Sequence, residues 1–410
     1  MNRRSYEKGA SVKGEINMTV YMDNNATTAL KKEVFDAMVP FYTEIYGNAS
    51  SKFYETGRRA GKELDAARET VARAIGAKPN EIYFTASGCE ADNWAIKGIV
   101  HANRQKGNHI ITSQIEHHAV LHTCEFLEKN GCTVTYLPVD SMGRVDPADV
   151  KAAVTDKTVL ITVMTANNEI GTIQPVREIA EIAKKHKIIF HTDAVQAIGH
   201  MPIDVGELGV DLLSLSAHKF HGPKGIGALY IRSGVRITNL IHGGGQERGK
   251  RAATENLAGI AGLAKAISLA TERLPENIEI MRDKRDKLIR GIQDRIPYCR
   301  LNGPAGEGRL CNNVNFSFQY IEGESILMLL DMQGIAASSG SACASGSLDP
   351  SHVLLAIGLP HEIAHGSLRL SVSDETTDEE VAYVLEKLPP IIERLRMMSP
   401  LYEEVLRKKG

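Results

Sequence analysis

The feature that most constrains the fold is an alternation of short apolar runs with segments of helical period, which extends from Glu81 to Ile231. The runs are rich in β-branched residues and predict strands at Ile82–Thr85, His109–Thr112, Thr133–Leu137, Val159–Met164, Ile188–Thr192, Leu212–Ser216 and Ala228–Ile231. Helices are predicted between most of them, near Ala91–Asn103, Val120–Lys129 and Pro175–Lys185. This order is typical of an α/β fold whose mostly parallel, doubly wound sheet is covered on both faces.

The chain is long enough for a second, smaller domain, since it has 410 residues and is 43% hydrophobic. Its pattern becomes continuously helical between Leu257 and Ile296, and a second α+β stretch begins near Asn313–Phe318. We predict an N-terminal extension at 1–20, a large domain at 21–270 and a small α+β domain at 271–410. The first residues of the large domain could pack on the small one. The helix after Glu379 is expected to be interrupted by Pro389–Pro390 and by Pro400.

Charge and cysteine content narrow the classes of function. The formal net charge is -2, with 48 Lys+Arg against 50 Asp+Glu, and there is no basic stripe for nucleic acid. The six cysteines have no zinc-site spacing, so we expect free thiols and no metal. The N-terminus lacks the apolar core of a signal peptide, and no later run is long enough to span a membrane. The sequence predicts a cytoplasmic protein whose partners are small molecules and proteins.

Ligands of doubly wound sheets bind beyond the carboxyl ends of the strands, so the residues directly after each strand are the candidates for chemistry. The stretch LLSLSAHKFHGPKGIG (212–227) delivers Lys219 from the end of a buried strand. Because desolvation makes an amine more nucleophilic, Lys219 could bind a cofactor as a Schiff base. The alternative is an ordinary loop lysine.

Other strand ends carry polar residues with similar ambiguity. The turn at Ser87, Gly88 and Cys89 precedes a helix and could bind a phosphate, or it could be a plain turn. Asp193, with Gln196 in the same loop, could hold a heteroaromatic nitrogen protonated, or it could be a helix N-cap.

Three further residue types complete the candidates. His117 could stack on a flat ring or move a proton, although a lone histidine is more often structural. Arg369 has the planar fork that suits a carboxylate, unless it is a surface arginine. Cys343 lies in a loop of small residues, ASSGSACASGS (337–347), where a thiol could approach a substrate. The sequence HGGG (242–245) occurs without a GxSxG elbow, which argues against a serine hydrolase.

Taken in order, these segments resemble the NifS/IscS-type cysteine desulfurases, which are pyridoxal-phosphate (PLP) enzymes of fold type I in the class V aminotransferase family. The resemblance extends from YMDNNATT (21–28) to about SPLYE (399–403), and its most specific parts are AHKFHGPKGIGALYIR (217–232), HTDAVQAIG (191–199), TANNEIG (165–171), HGGGQERG (242–249) and SSGSACASGSLDPSHVLLAIG (338–358).

The resemblance implies a role for each candidate residue. Lys219 would form the Schiff base and move the Cα proton, and Cys343 would be the nucleophile. His117 would stack on the pyridine ring, Asp193 would pair with its nitrogen and Gln196 with its phenolic oxygen. Asn168 would lie between cofactor and substrate carboxylate, which Arg369 would bind. The phosphate would be held by Gly88, Cys89, Ser216, His218 and Thr254 of the partner subunit in a homodimer.

The implied reaction converts L-cysteine to L-alanine and leaves a persulfide on Cys343, for delivery to an iron–sulfur scaffold or another sulfur-acceptor protein. Two alternatives remain. The first keeps the cofactor and changes the reaction, as in a selenocysteine lyase or a related aminotransferase-like PLP enzyme. The second is a cofactor-binding structural partner with little activity.

The sequence departs from the family pattern at four places. Cys89 stands where Ser or Thr is usual, and GNASS (47–51) replaces GNPSS. In RAAT (251–254) Ala253 replaces a glycine, so we expect a shifted loop at Thr254. Ser373 and Asp374 replace the first two residues of GRF.

Overall fold

The computed structural model describes residues 19–339 and 350–407. Its strands are β1 (Val20–Tyr21), β2 (Ile82–Thr85), β3 (His109–Ser113), β4 (Thr133–Leu137), β5 (Thr158–Thr162), β6 (Ile189–Asp193), β7 (Leu212–Ser216), β8 (Gly227–Ile231), β9 (Cys299–Leu301), β10 (Asn313–Phe318), β11 (Ile335–Ala336) and β12 (Ser367–Ser371). Its helices are α1 (Lys32–Met38), α2 (Pro40–Thr43), α3 (Glu55–Ala74), α4 (Gly88–Asn103), α5 (His118–Lys129), α6 (Pro147–Ala153), α7 (Val176–His186), α8 (Val205–Leu208), α9 (Gln246–Gly249), α10 (Leu257–Glu272), α11 (Leu274–Arg295), α12 (Gly323–Asp331), α13 (His352–Ala356), α14 (His361–His365), α15 (Asp378–Met397) and α16 (Pro400–Arg407).

A seven-stranded sheet organises the first two thirds of the chain, with the strand order β2-β8-β7-β6-β5-β3-β4. All seven predicted runs are strands of this sheet. Only β8 runs antiparallel to its neighbours, β2 and β7. The predicted α/β class with a mostly parallel sheet is confirmed.

Consecutive residues of these strands enter cores on opposite faces, as the period of a strand requires. Leu212 contributes to the core beneath α4 and α5, whereas Leu213 contributes to the core beneath α3, α7 and α10. Ile110 and Ile111 divide in the same way. These runs are apolar throughout because the strands are covered on both faces, so neither face requires polar residues for contact with solvent.

A second core surrounds the antiparallel sheet β12-β10-β9 and contains residues of α11, α12 and α15. The start of the described chain joins this core, because Val20 of β1 pairs with Ile335 of β11. The bridge between Asp23 and Ser371 continues the contact. The first residues therefore pack on the later part of the chain before crossing to the large sheet.

The expected helix break at Pro389–Pro390 is wrong, because α15 continues through both residues. A proline at 389 cannot donate to the carbonyl of Leu385. That carbonyl instead accepts a hydrogen bond from Arg295 Nη1 at 2.8 Å. The break at Pro400 is confirmed, since α16 begins there.

Two features are absent from the described part of the chain. None of its helices is long and apolar enough to cross a membrane. Within residues 19–339 and 350–407, His, Cys, Asp and Glu side chains form no group that could hold a metal ion.

Candidate active site

Lys219 ends a short 3-10 turn, Ala217–Lys219, that follows β7 directly. Every residue of β7 is buried, so the turn emerges from the middle of the sheet. The Lys219 amine donates hydrogen bonds to the backbone carbonyls of Asn25 at 2.5 Å and Ala26 at 2.9 Å. The half-buried amine is therefore directed from the end of β7 toward residues 25–26.

Asp193 and Gln196 lie at the end of the neighbouring strand, β6. Burial raises the pKa of Asp193 to about 6, although a hydrogen bond from the Val195 N–H at 2.8 Å and the charge of Lys219 oppose this effect. Gln196 Nε2 donates to the Asn25 carbonyl at 2.8 Å. Its Oε1 is buried and has no hydrogen-bond partner among the described residues. An orphaned buried polar atom is costly, and its presence at a strand end is typical of a ligand site.

His117 caps the N-terminus of α5, where its Nδ1 accepts a hydrogen bond from the Ala119 N–H at 3.1 Å. Burial lowers the pKa of His117 to about 4, and the positive charge of Lys219 adds to the shift. The imidazole is therefore neutral near pH 7. Because Nδ1 is the acceptor, the ring proton lies on Nε2.

The turn before α4 begins a sixteen-residue helix, and the N–H groups at such an N-terminus suit an anion. Ser87 caps the helix by accepting from the Glu90 N–H at 3.1 Å. A Cβ on Gly88 would lie 2.7 Å from Val195 Cγ2, so this position has room for a glycine and no larger residue. The Ser216 Cβ lies 3.4 Å from the same point, which brings the end of β7 against the turn. Cys89 is exposed in the first turn of the helix.

His218 lies beside Thr27 and Thr28. Its Nδ1 is 3.2 Å from Thr27 Oγ1, and its carbonyl accepts from Thr28 Oγ1 at 2.9 Å. Burial lowers the pKa of His218 to about 4, with Lys219 and Lys224 adding to the effect. Like His117, it is a neutral imidazole near pH 7.

Thr254 is exposed on a loop that a charged contact fastens to the same turn. Arg251 makes a bidentate ion pair with Glu90, at 2.8 and 3.0 Å. Ala253, which stands where a glycine is usual, adopts a positive φ of 98°. Alanine therefore holds the backbone conformation that a glycine would adopt without strain.

Arg369, on strand β12 of the antiparallel sheet, contacts Asn168, in the loop that follows β5 of the large sheet. Arg369 is 2% exposed, and its Nη2 binds Asp23 Oδ1 at 2.8 Å. Its Nη1 donates to the backbone carbonyl of Asn168 at 3.1 Å, not to the Asn168 amide. Arg369 Nε is buried without a partner among the described residues. One donor of the guanidinium fork is thus left for another acceptor.

Cys343 lies outside the described residues, whereas the residues that flank its segment lie at the site. The Arg369 N–H donates to the Ser338 carbonyl at 2.6 Å. On the other side, Ser351 Oγ donates to Glu169 Oε2 at 2.5 Å. Burial raises the pKa of Glu169 to about 7, which the Ser351 hydrogen bond and the Arg369 charge oppose.

The aminotransferase class-V family matches residues 20–384 of the chain. The chain belongs to this family. A cysteine desulfurase IscS from Clostridium botulinum is 62% identical over 395 residues, which cover 96% of this chain and 99% of that enzyme. A cysteine desulfurase IscS from Methanosarcina thermophila is 59% identical over 394 residues, 96% of each chain. A solved NifS-like protein superimposes with a TM-score of 0.87 at 42% identity, covering 92% of this chain and all of its own.

One residue of this class-V aminotransferase chain was missed by the sequence reasoning. Asn25 is 2% exposed, and its carbonyl accepts from both Lys219 and Gln196. Its side chain donates to the Asn168 carbonyl at 2.9 Å and accepts from Asn312 Nδ2 at 2.8 Å. The motif YMDNNATT (21–28) is part of the resemblance, but no feature of the sequence indicates that it contacts Lys219.

Class-V aminotransferases of the NifS type are PLP-dependent, and the residues at this edge fit that cofactor. The buried Gln196 Oε1 has no partner among the described residues, and Gly88 and Cys89 begin a helix whose N-terminal N–H groups suit a phosphate. Asp193 supplies a carboxylate and Lys219 an amine within one connected group of residues. These are the donor types that a pyridine nitrogen, a phosphate and an aldehyde require.

Proposed function

We propose that this chain is a PLP-dependent cysteine desulfurase, which converts L-cysteine to L-alanine and carries the sulfur as a persulfide on Cys343. One observation carries the proposal. Lys219, Asp193 and Gln196 converge at one sheet edge, in a chain 62% identical to an enzyme of that name.

The ring of the cofactor would be held by Asp193, Gln196 and His117. When bound, PLP supplies an electron sink for the charge that develops at the substrate Cα. The Asp193 carboxylate would pair with a protonated ring nitrogen, and the second N–H of the Gln196 amide, whose first donates to the Asn25 carbonyl, would be the donor to the phenolic oxygen. The neutral His117 imidazole stacks without adding a positive charge beside Lys219.

The phosphate would be held by the turn before α4. The backbone N–H groups at Gly88 and Cys89 lie at the positive end of a sixteen-residue helix. Ser216 and His218 add side-chain donors, and Thr254 of the partner subunit adds another. The Cys89 thiol is a weaker hydrogen-bond donor than a serine hydroxyl. The backbone N–H groups would therefore contribute a larger share of the phosphate binding than they would with serine at this position.

Lys219 and Arg369 would divide the work on the substrate. The Lys219 amine would hold the cofactor and would be the group that takes the proton from the substrate Cα. The Arg369 guanidinium binds the substrate carboxylate, which would compete with Asp23 for the fork, and Asn168 lies between the two ligands. Backbone carbonyls already orient the side chains of Lys219 and Arg369. Binding would therefore cost little additional conformational entropy in these two side chains.

Cys343 would perform the sulfur transfer. Its thiolate attacks the substrate sulfur, so that an S–S bond forms while the Cβ–S bond breaks. The electron pair of the broken bond stays with the carbon skeleton, which takes up a proton and leaves as alanine. The persulfide then passes to an iron–sulfur scaffold or another sulfur-acceptor protein. The anchored Ser338 and Ser351 support this role, because they hold both ends of the segment beside Arg369 and Glu169.

A homodimer is part of the proposal, since Thr254 is exposed and would complete the neighbouring phosphate site. A patch of exposed aromatic residues supports a covered surface near α2: Phe53 is 98% exposed, Tyr46 69% and Tyr42 65%. Size-exclusion chromatography with light scattering would contradict this part of the proposal if it found a monomer. The domain boundaries at residues 20 and 270 and the cytoplasmic location stay predictions.

The test of the activity is an absorption spectrum of the purified protein before and after addition of L-cysteine, with alanine and sulfide measured in the same sample. We expect a visible cofactor band, a change on adding L-cysteine, and alanine as product. The Cys343→Ala variant should keep the band and lose sulfide release. An absent band or absent alanine would refute the proposal.

The same assay separates the alternative reactions. An aminotransferase does not require Cys343, so its activity would survive in Cys343→Ala. A selenocysteine lyase would turn over L-selenocysteine and leave L-cysteine unchanged. A structural partner with little activity would retain the cofactor band and produce no alanine.

A further inference from the structure

Asp374 lies between the side chains of Lys31 and His221. Its Oδ2 is 2.5 Å from Lys31 Nζ, and its Oδ1 is 3.1 Å from His221 Nε2. The side chains are 14%, 19% and 11% exposed respectively, so solvent screens these contacts only in part. We call Lys31, Asp374 and His221 the clasp.

Each residue of the clasp belongs to a different segment of the site. Lys31 lies at the end of residues 25–31, the stretch before α1 that starts with Asn25. His221 follows Lys219 by two residues. Asp374 follows β12, the strand that carries Arg369. The clasp therefore joins the turn of the amine to the strand of the guanidinium.

His221 is held by its backbone conformation and by three contacts besides the one to Asp374. Its backbone is left-handed, with φ 63°, its N–H donates to Thr28 Oγ1 at 2.8 Å, and its carbonyl accepts from the Lys31 N–H at 3.2 Å. The ring Nδ1 lies 2.9 Å from the carbonyl of Ala29. A residue this constrained transmits its position to the turn that contains Lys219.

The ring of His221 faces an acceptor on each side. A carbonyl oxygen only accepts, so Nδ1 donates to Ala29. Burial opposes ionisation of Asp374, but hydrogen bonds from His221 and Lys31 outweigh it and hold the pKa of Asp374 well below its usual range. The other ring nitrogen, Nε2, faces the Asp374 carboxylate, and this bond is charge-assisted because its acceptor is ionised.

Other charged groups surround the clasp. Glu375 Oε1 lies 4.0 Å from Lys31 Nζ, and the charge of Asp374 acts on Arg273. Burial lowers the pKa of His200 to about 4, with the charges of His221 and Lys219 adding to the effect and that of Asp374 opposing it. His200 is therefore neutral, and the Asp374 carboxylate is the shared partner of Lys31 and His221.

We propose that Asp374 and His221 are positioning residues, and that the clasp fixes the turn of Lys219 against the strand of Arg369. This inference rests on the proposed roles of Lys219 and Arg369. Loss of the clasp would let the two move relative to each other, and reaction rates are sensitive to such misplacement.

The experiment compares Asp374→Asn, His221→Gln and the double variant. We expect kcat per cofactor-loaded site, with loading measured from the absorption band, to fall about tenfold in each single variant. The double variant should lose no more than Asp374→Asn alone, because that change already breaks the contact with His221. The matched control is Asp378→Asn, which removes an exposed carboxylate bound by Lys284 and Lys287. It should leave kcat unchanged.

A second measurement needs neither cofactor nor substrate. Hydrogen exchange of the cofactor-free protein should show faster exchange at residues 217–222 in both variants and not in the control. Unchanged kcat per loaded site, or losses that multiply in the double variant, would overturn the inference. If the wild-type protein made no alanine, the proposed function would fail, while unaltered exchange at 217–222 would separately refute the clasp.

Discussion

The Lys219 amine donates to the backbone carbonyl of Asn25, a residue 194 positions earlier in the chain. The same oxygen accepts from Gln196, so one peptide group orients both side chains. The position of that peptide depends on the Asn25 side chain, which bonds to Asn168 and Asn312.

Replacing Asn25 with Ala should therefore disturb the site through the backbone. The change leaves the buried Asn312 amide without this partner, and we expect a loss of about 1–3 kcal/mol in the free energy of unfolding. Activity per loaded site should also fall. Urea denaturation and alanine production measure the two effects. The control Asn130→Ala removes an exposed bond to the Phe126 carbonyl and should change stability by less than about 0.5 kcal/mol.

Affinity for PLP should depend on the ionisation of Asp193. Burial raises the pKa of this carboxyl to about 6 in the cofactor-free protein. Below that pH the group is neutral and cannot pair with a protonated ring nitrogen. The PLP dissociation constant should therefore rise as the pH falls, approaching about tenfold per pH unit. Titration of PLP by absorption tests this, and Asp193→Asn should bind weakly without that dependence. An equally steep rise in the variant would assign the effect to another group.

Asp92 should be protonated in the folded chain. Burial raises its pKa well above the usual range, the charge of Asp193 adds to the shift, and a hydrogen bond with Ser214 opposes it. The neighbouring His191 ring, 3.6 Å away, is neutral because burial lowers its pKa to about 3.

Above the ordinary Asp pKa of roughly 4, the unfolded chain releases the Asp92 proton, whereas the folded chain keeps it. The free energy of unfolding therefore falls as the pH rises. Asn at this position has no such proton to release, so the stability of Asp92→Asn relative to the wild type should increase as the pH rises above about 4. Denaturation at several pH values measures the difference. If Asp92 were instead ionised against a charged His191, the variant would lose about 3–5 kcal/mol near neutral pH.

Ala253→Gly should stabilise the protein. Ala253 has φ 98°, where a Cβ is strained and glycine is not. Relief of that strain should raise the free energy of unfolding by about 1 kcal/mol, with the greater freedom of the unfolded glycine offsetting part of the gain. Thermal melting measures it. The adjacent Ala252→Gly has no positive φ to relieve and removes a buried methyl group, so it should lower the melting temperature.

Glu247→Gln should be strongly destabilising. The carboxylate binds both terminal nitrogens of Arg68 at 2.7 Å and accepts from the Phe84 N–H at 2.9 Å, with both ionic side chains buried. Removing one charge leaves the other buried and uncompensated, which costs about 3–5 kcal/mol. Because Glu247 belongs to the short helix α9, which precedes the loop of Thr254, PLP retention should fall as well. The exposed pair Arg144–Glu178 is the control, and Glu178→Gln should change stability by less than about 1 kcal/mol.

Local pattern was sufficient for the large sheet. The run Leu212–Ser216 was predicted with the bounds that the structure has, because a strand buried on both faces must be apolar along its length. It was insufficient for α15, since Pro389 is tolerated only because Arg295 supplies a donor to the carbonyl of Leu385. No property of residues 379–397 reveals that contact.

The sequence by itself determined the α/β class, the seven strands and the strand-end positions of Lys219, Asp193 and His117, because those depend on runs of neighbouring residues. Only the tertiary structure decided that Asn25 meets Lys219 and that Asp374 meets Lys31 and His221. Hydrogen bonds and ion pairs act over a few ångströms, and packing alone brings together residues that lie hundreds of positions apart.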